Sequence, residues 1–115
     1  VVAVFTLSCL GGCLKKTDVP SPVPIPSPSD QQVRNQTGEA LFRRFCSNCH
    51  PDGGNVSDPD KALHGYSQRK NHITQPEDIV RIMRNPKSRM MRFDDKTISD
   101  RDAHVLAEYI FTTYK

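Results

Sequence analysis

Cys46-Ser47-Asn48-Cys49-His50 is the stretch that decides how the rest of this chain folds. C-x-x-C-H is the pattern of covalent c-type haem attachment. Two thiols one helical turn apart can add across the two vinyl groups of one porphyrin. The imidazole beside the second thiol then reaches the iron from one face. Two rival readings compete. A tetrahedral zinc site would need two further ligands from His64, His72 and His104, and these form no second closely spaced pair. A thioredoxin-like dithiol expects a strand before the motif, whereas the segment before Cys46 carries a helical pattern.

Composition points the same way. The chain has 115 residues, enough for one domain. Its formal charge of +3 is too mild to argue for nucleic acid, and no aromatics are interleaved with basic residues to stack bases. Only 36% of its residues are hydrophobic. A domain that buries only about 60% of its chain surface is marginal without a staple. A thioether-linked porphyrin would supply one, with an apolar body for short helices to wrap.

The first residues read as an address. Val1 to Leu10 is apolar, too short to span a bilayer, and is followed by small residues and then Lys15 and Lys16. Leu10-Gly11-Gly12-Cys13 resembles the lipobox of bacterial lipoprotein signal peptides, in which cleavage leaves a lipidated cysteine. Cys9 fits worse, with Thr6 three residues before it. No methionine or basic segment precedes Val1, and an ordinary secretory signal or short anchor is the alternative. Each version sends the domain out of the cytoplasm, to the periplasmic side of a membrane. Leu14 is not an aspartate-type retention signal, which leans toward the outer membrane. Prolines at 20, 22, 24, 26 and 28 then fix φ and remove donors, giving a polyproline II spacer of about 3 Å per residue. The expected organisation is a signal peptide over 1–12, a lipid-anchored tether over 13–35 and a haem domain over 36–115.

Within that domain, Thr37 is a candidate N-cap for a helix running into the motif, with Leu41, Phe42 and Phe45 on its apolar face. Gly38 costs helix propensity, which suggests a close backbone approach. Pro51 to Asn55 is turn chemistry. Asp58-Pro59 predicts a short helix over 59–67 that buries Leu63 and Tyr66. Thr74-Gln75-Pro76-Glu77 reads as a capping box. The helix after it carries Ile79, Ile82 and Met83 on one face and stops at Asn85-Pro86. Ser99 opens a last helix in which Ala103, Leu106, Ala107, Ile110, Phe111 and Tyr114 recur at helical spacing. No stretch alternates with period two, so the expectation is an all-α domain.

These motifs together resemble the class I c-type cytochromes. Gly38-x-x-Leu41-Phe42, the attachment motif, Gly53-Gly54-Asn55, Met90-x-x-Phe93 and Ala107-Glu108-Tyr109-Ile110 carry the likeness over about residues 36–114. Within the class the chain is most similar to monohaem cytochrome c6-like proteins, including lipid-anchored outer-membrane relatives from metal-respiring bacteria. The resemblance implies four to five short helices around one haem c held by Cys46 and Cys49. It also implies a crossing of first and last helices at Gly38, Phe42 and Tyr109. One departure is Met90-Met91-Arg92-Phe93, where the family usually has Met-Pro-x-Phe.

His50 is the expected first axial ligand, its other ring nitrogen donating to a backbone carbonyl. Met90 is the leading candidate for the second, because it sits in a loop three residues before Phe93. Met91 is its competitor, His64 and His72 are the histidine alternatives, and Met83 belongs to an apolar helix face. His/Met ligation raises the reduction potential and leaves no open position, which fits outer-sphere electron transfer rather than catalysis. Asn55, Lys61 and Gln68 are placed by position as haem contacts. Arg81, Arg84, Lys87, Arg89 and Arg92 form a basic run that could steer an acidic redox partner. The expected protein is a monomeric electron carrier in a respiratory chain. The alternatives are a peroxidase-like enzyme or reductase subunit with a labile methionine, and a redox-sensing module.

Overall fold

The crossing of the first and last helices sets the frame of the computed structural model, which describes residues 29–115. The proposed signal peptide, Cys13 and the alternating prolines lie outside the described residues. Four α-helices follow in order: α1 Asp30–Phe45, α2 Gly65–Lys70, α3 Pro76–Arg84 and α4 Asp100–Thr113. Two 3₁₀ turns, Pro51–Gly53 and Pro59–Lys61, lie between α1 and α2. There is no strand among the described residues, so the all-α expectation holds. No helix among them is long and apolar enough to cross a membrane.

α1 packs across α4, and α3 packs on α4 beside it. Gly38 makes the first crossing possible. A Cβ there would lie 2.5 Å from Tyr109 Cβ and 3.1 Å from the Val105 carbonyl oxygen, so only glycine lets the helices close to this distance. One turn further along, Phe42 packs against Tyr109 and Tyr114, with ring centroids 5.9 and 5.4 Å apart. Below this crossing Ala103, Leu106, Ala107 and Ile110 of α4 are buried with Ile79 and Met83 of α3. Phe93 and Ile98, from the α3–α4 connection, complete the core.

Three expectations need correction. α1 begins seven residues before Thr37, capped by Ser29, whose hydroxyl accepts from Gln32 N–H at 3.2 Å. Thr37 lies inside the helix, and its hydroxyl donates back to the Val33 carbonyl at 2.9 Å. The expected domain boundary at 36 therefore falls within α1. The helix expected over 59–67 is broken: a 3₁₀ turn ends at Lys61, and α2 starts only at Gly65. Tyr66 consequently faces out at 71% exposure, and Ser67 and Gln68 are buried in its place. Leu63 does pack against the core. The cap of α3 is shifted by one residue. Asp78, not Glu77, reaches back to accept from the N–H groups of Thr74 (2.8 Å) and Gln75 (3.2 Å).

Candidate haem site

The attachment motif is the last turn of α1 continued. Cys46 caps the helix, its N–H bonded to the Phe42 carbonyl at 2.9 Å. The N–H groups of Cys49 and His50 both return to the Cys46 carbonyl, at 3.1 and 2.8 Å. One tight turn thus carries both thiols and the imidazole. Cys46 is buried and Cys49 exposed. Burial, reinforced by the charge of Cys49, pushes the Cys46 thiol up to about 12. A thioredoxin-like dithiol follows a strand, whereas here α1 runs directly into the motif. No three His, Cys, Asp or Glu side chains converge as metal donors among the described residues.

His50 is 8% exposed, and its Nδ1 lies 2.8 Å from the Gly54 carbonyl oxygen. A carbonyl only accepts, so Nδ1 carries the proton and Nε2 keeps its lone pair for a metal. The turn that folds Gly54 back is sharp: Asp52 and Gly53 take φ of 50° and 78°. The ring of Tyr114 lies against Gly53, where a side chain would collide with it.

Around this turn open two adjoining cavities of about 520 and 730 Å³. Each is within the roughly 300–1,000 Å³ usual for cofactor sites. They share Cys46, His50, Asn55, Lys61, Lys87, Ser88 and Met90 as walls. Leu63, Ile79, Ile82, Met83 and Ile110 line the smaller one, and Phe45, Phe93 and Met91 the larger. Two thiols, an imidazole with a free lone pair and a thioether thus border one apolar cleft. That donor set fits a thioether-linked haem.

The sulfur candidates occupy different places. Met90 is half-buried, packs on the core and lines both cavities. Met91 is 67% exposed and lines only the larger. Met83 is core, as its helical face implied. Of the histidines, His64 stacks edge-on to Tyr114 and lines neither cavity, while His72 borders the smaller one. His104 is exposed on α4.

Asn55, Lys61 and Gln68 all line the smaller cavity, but each is engaged by the protein. The Asn55 side-chain Oδ1 accepts from Ser57 N–H and Asp58 N–H at 3.0 and 2.9 Å, shaping its own loop. Lys61 Nζ donates to Asn71 Oδ1 at 2.6 Å, and Gln68 Nε2 to the Leu63 carbonyl at 2.7 Å. The basic run divides. Arg81 pairs with Asp78 at 2.6 Å and Arg84 with Asp100 at 2.7 Å. Lys87 and Arg89 line the larger cavity and make no ion pair among the described residues. Arg92 is exposed, close enough to Asp94 to help hold its carboxyl low, after the stronger effect of bonds from Thr97. The grip of Arg84 went unread in the sequence, because its partners lie 9 and 16 residues away and leave no periodic signal.

A four-helix, strandless fold with C-x-x-C-H at the end of its first helix, Nε2 free and an apolar cleft, defines a class I c-type cytochrome carrying one haem c through Cys46 and Cys49. The chain belongs to the family described as cytochrome c oxidase, cbb3-type, subunit III, whose sequence model matches residues 33–110. Among curated relatives it is similar to the chloroplastic cytochrome c6 of Arabidopsis thaliana, 30% identical over 78% of this chain and 58% of the relative. Cytochrome c6 of Gracilaria tenuistipitata is 33% identical over 64% of this chain and 67% of its own length. Among solved structures, the outer membrane cytochrome OmcF of Geobacter sulfurreducens matches with a TM-score of 0.65 at 33% identity, covering 68% of this chain and 99% of OmcF. Oxidised cytochrome c6A of Arabidopsis thaliana matches with a TM-score of 0.67 at 28% identity, covering 71% and 91% of the two chains. The chain is thus a cytochrome c6-like protein of a monohaem electron-carrier family.

Proposed function

We propose that this cytochrome carries single electrons in an extracytoplasmic respiratory chain, its iron held between His50 and Met90. The observation that carries this reading is the half-buried Met90 bordering both cavities together with His50, beside a Met91 that is 67% exposed. When bound, haem supplies a ferric–ferrous couple, and a thioether ligand favours the ferrous form and raises the potential. The residues around it do the rest. The Gly54 carbonyl fixes the His50 ring, and Leu63, Ile79 and Ile82 keep the cleft apolar. With His50 and Met90 both holding it, a bound haem would supply outer-sphere electron exchange and leave no place for a substrate at its metal. Lys87, Arg89 and Arg92 steer an acidic partner to the cleft mouth, and Arg81 and Arg84, each ion-paired, contribute less than the basic run suggested. A lipid at Cys13 anchors the domain to a membrane, and the likeness to OmcF, described as an outer membrane cytochrome, supports the outer one.

Spectra of the oxidised holoprotein test the ligand. Met90→Ala removes the weak thioether-to-iron band and low-spin character, and Met91→Ala leaves both. A high-spin wild-type protein would instead support the peroxidase-like alternative.

A further inference from the structure

The loop that carries Met90 is clasped at its far end from a neighbouring helix. Phe93 N–H donates to the Met83 carbonyl at 3.0 Å, and Arg84 Nη1 donates to the Phe93 carbonyl at 3.1 Å. Consecutive residues at the end of α3 therefore hold both backbone groups of Phe93. Arg84 is itself held: Nη2 bonds Asp100 Oδ1 at 2.7 Å, at the first residue of α4. Its side chain is only 22% exposed, whereas that of Asp100 is 81% exposed. The Phe93 ring is buried and meets Phe45 edge-on at 5.9 Å, next to the attachment motif. Residues 85–92 thus form a closed loop with one strong fastening, three residues beyond Met90. Inside that loop the main restraint near the sulfur is a 3.2 Å bond from Met90 N–H to Ser88 Oγ. Between Pro86 and Phe93 the loop has no proline to restrain φ.

We infer that Arg84, braced by Asp100, is the positioning residue that holds the Met90 sulfur within reach of the iron. The inference rests on Met90 being the sixth ligand. A guanidinium suits the task because its charged planar fork, with five donors at fixed angles, serves a carbonyl and a carboxylate at once. The pair acts on the balance between closed loop and open loop, and an added ligand such as imidazole binds only the open one. Its apparent affinity then scales with the open fraction.

The test is an imidazole titration of the oxidised holoprotein, followed by the low-spin spectrum, well below the unfolding temperature of every variant. Arg84→Leu should bind imidazole about tenfold more tightly than wild type, as loss of a charge-assisted bond implies. Asp100→Asn should show a smaller shift in the same direction, and Arg84→Lys should recover part of it. Unchanged imidazole affinity in Arg84→Leu and Asp100→Asn overturns the inference, even if both variants melt earlier. If Arg84→Leu does not fold, Asp100→Asn decides alone. Met90→Ala is the separate control. If it keeps the thioether band, the ligand assignment fails and the inference falls with it, whatever the imidazole ratios; if the band is lost, the ratios decide the role of Arg84.

Discussion

At the level of single residues, glycine at 38 and aspartate at 78 each have a measurable role. Gly38→Ala adds a methyl 2.5 Å from Tyr109 Cβ, which only a shift of α1 against α4 can relieve. Overpacking of this kind costs about 1–3 kcal/mol. The better helix propensity of alanine returns about 1. Guanidinium unfolding of the holoprotein should therefore show a net loss. Asp78 accepts bonds from Thr74 and Gln75 N–H, the Thr74 hydroxyl and Arg81, and these bring its carboxyl from 3.8 down to about 2. A carboxyl lowered on folding stabilises the native state above its unfolded value and loses that contribution as pH falls through the folded one. The stability gap between wild type and Asp78→Asn should be full above pH 3.8 and close as the pH falls toward about 2, which thermal melts across that range will read. Residues with a steric or covalent signature were legible from the chain: Gly38, the two thiols, His50. Those defined by distant bonds, such as Arg84 with Asp100, were not. Gln68 was placed near the haem by position alone; its burial and its bond to the Leu63 carbonyl come from a tertiary fold no spacing encodes.

Among the helices, legibility followed the apolar stripe. α3 and α4 bury a face with regular spacing; Asn85 and Ser99 marked an end of each as expected, while the start of α3 moved one residue past Thr74. α1 was legible only from Gly38 onward. Its first eight residues, 30–37, are all exposed and polar apart from Val33, so they offer no period to count. A chain begun at Gln36, with Thr37 restored to the role of N-cap, should keep its holoprotein stability to within about 1 kcal/mol, since no buried contact is lost. A calorimetric drop much larger than that would mean the exposed turns support the core. The break between the Pro59 turn and α2 was hidden for another reason. Asp58 caps only the short turn, accepting from Asp60 N–H at 3.1 Å, and Ala62 already has the extended backbone that ends it. Local cap chemistry announced a start there but carried no information about length.

Over the whole molecule, charge and shape converge on the cleft mouth. Lys87 and Arg89 stand at the larger cavity and make no ion pair among the described residues, and Met91 beside them offers 67% of its surface to solvent. Electron exchange with an acidic protein should slow as ionic strength rises from about 0.01 to 0.2 M, as screening shortens from about 30 to below 10 Å. Lys87→Glu combined with Arg89→Glu should flatten that dependence in stopped-flow traces. A bimolecular rate indifferent to salt would remove the steering role. The contact of Tyr114 with Gly53 has a consequence for the order of maturation. Thioether formation needs only five adjacent residues, which an unfolded polypeptide can present, whereas the seat beneath them is delivered by Tyr114, at the end of α4. Attachment through Cys46 and Cys49 can therefore precede folding, whereas the support that Tyr114 gives the turn after His50 forms only once α4 has docked.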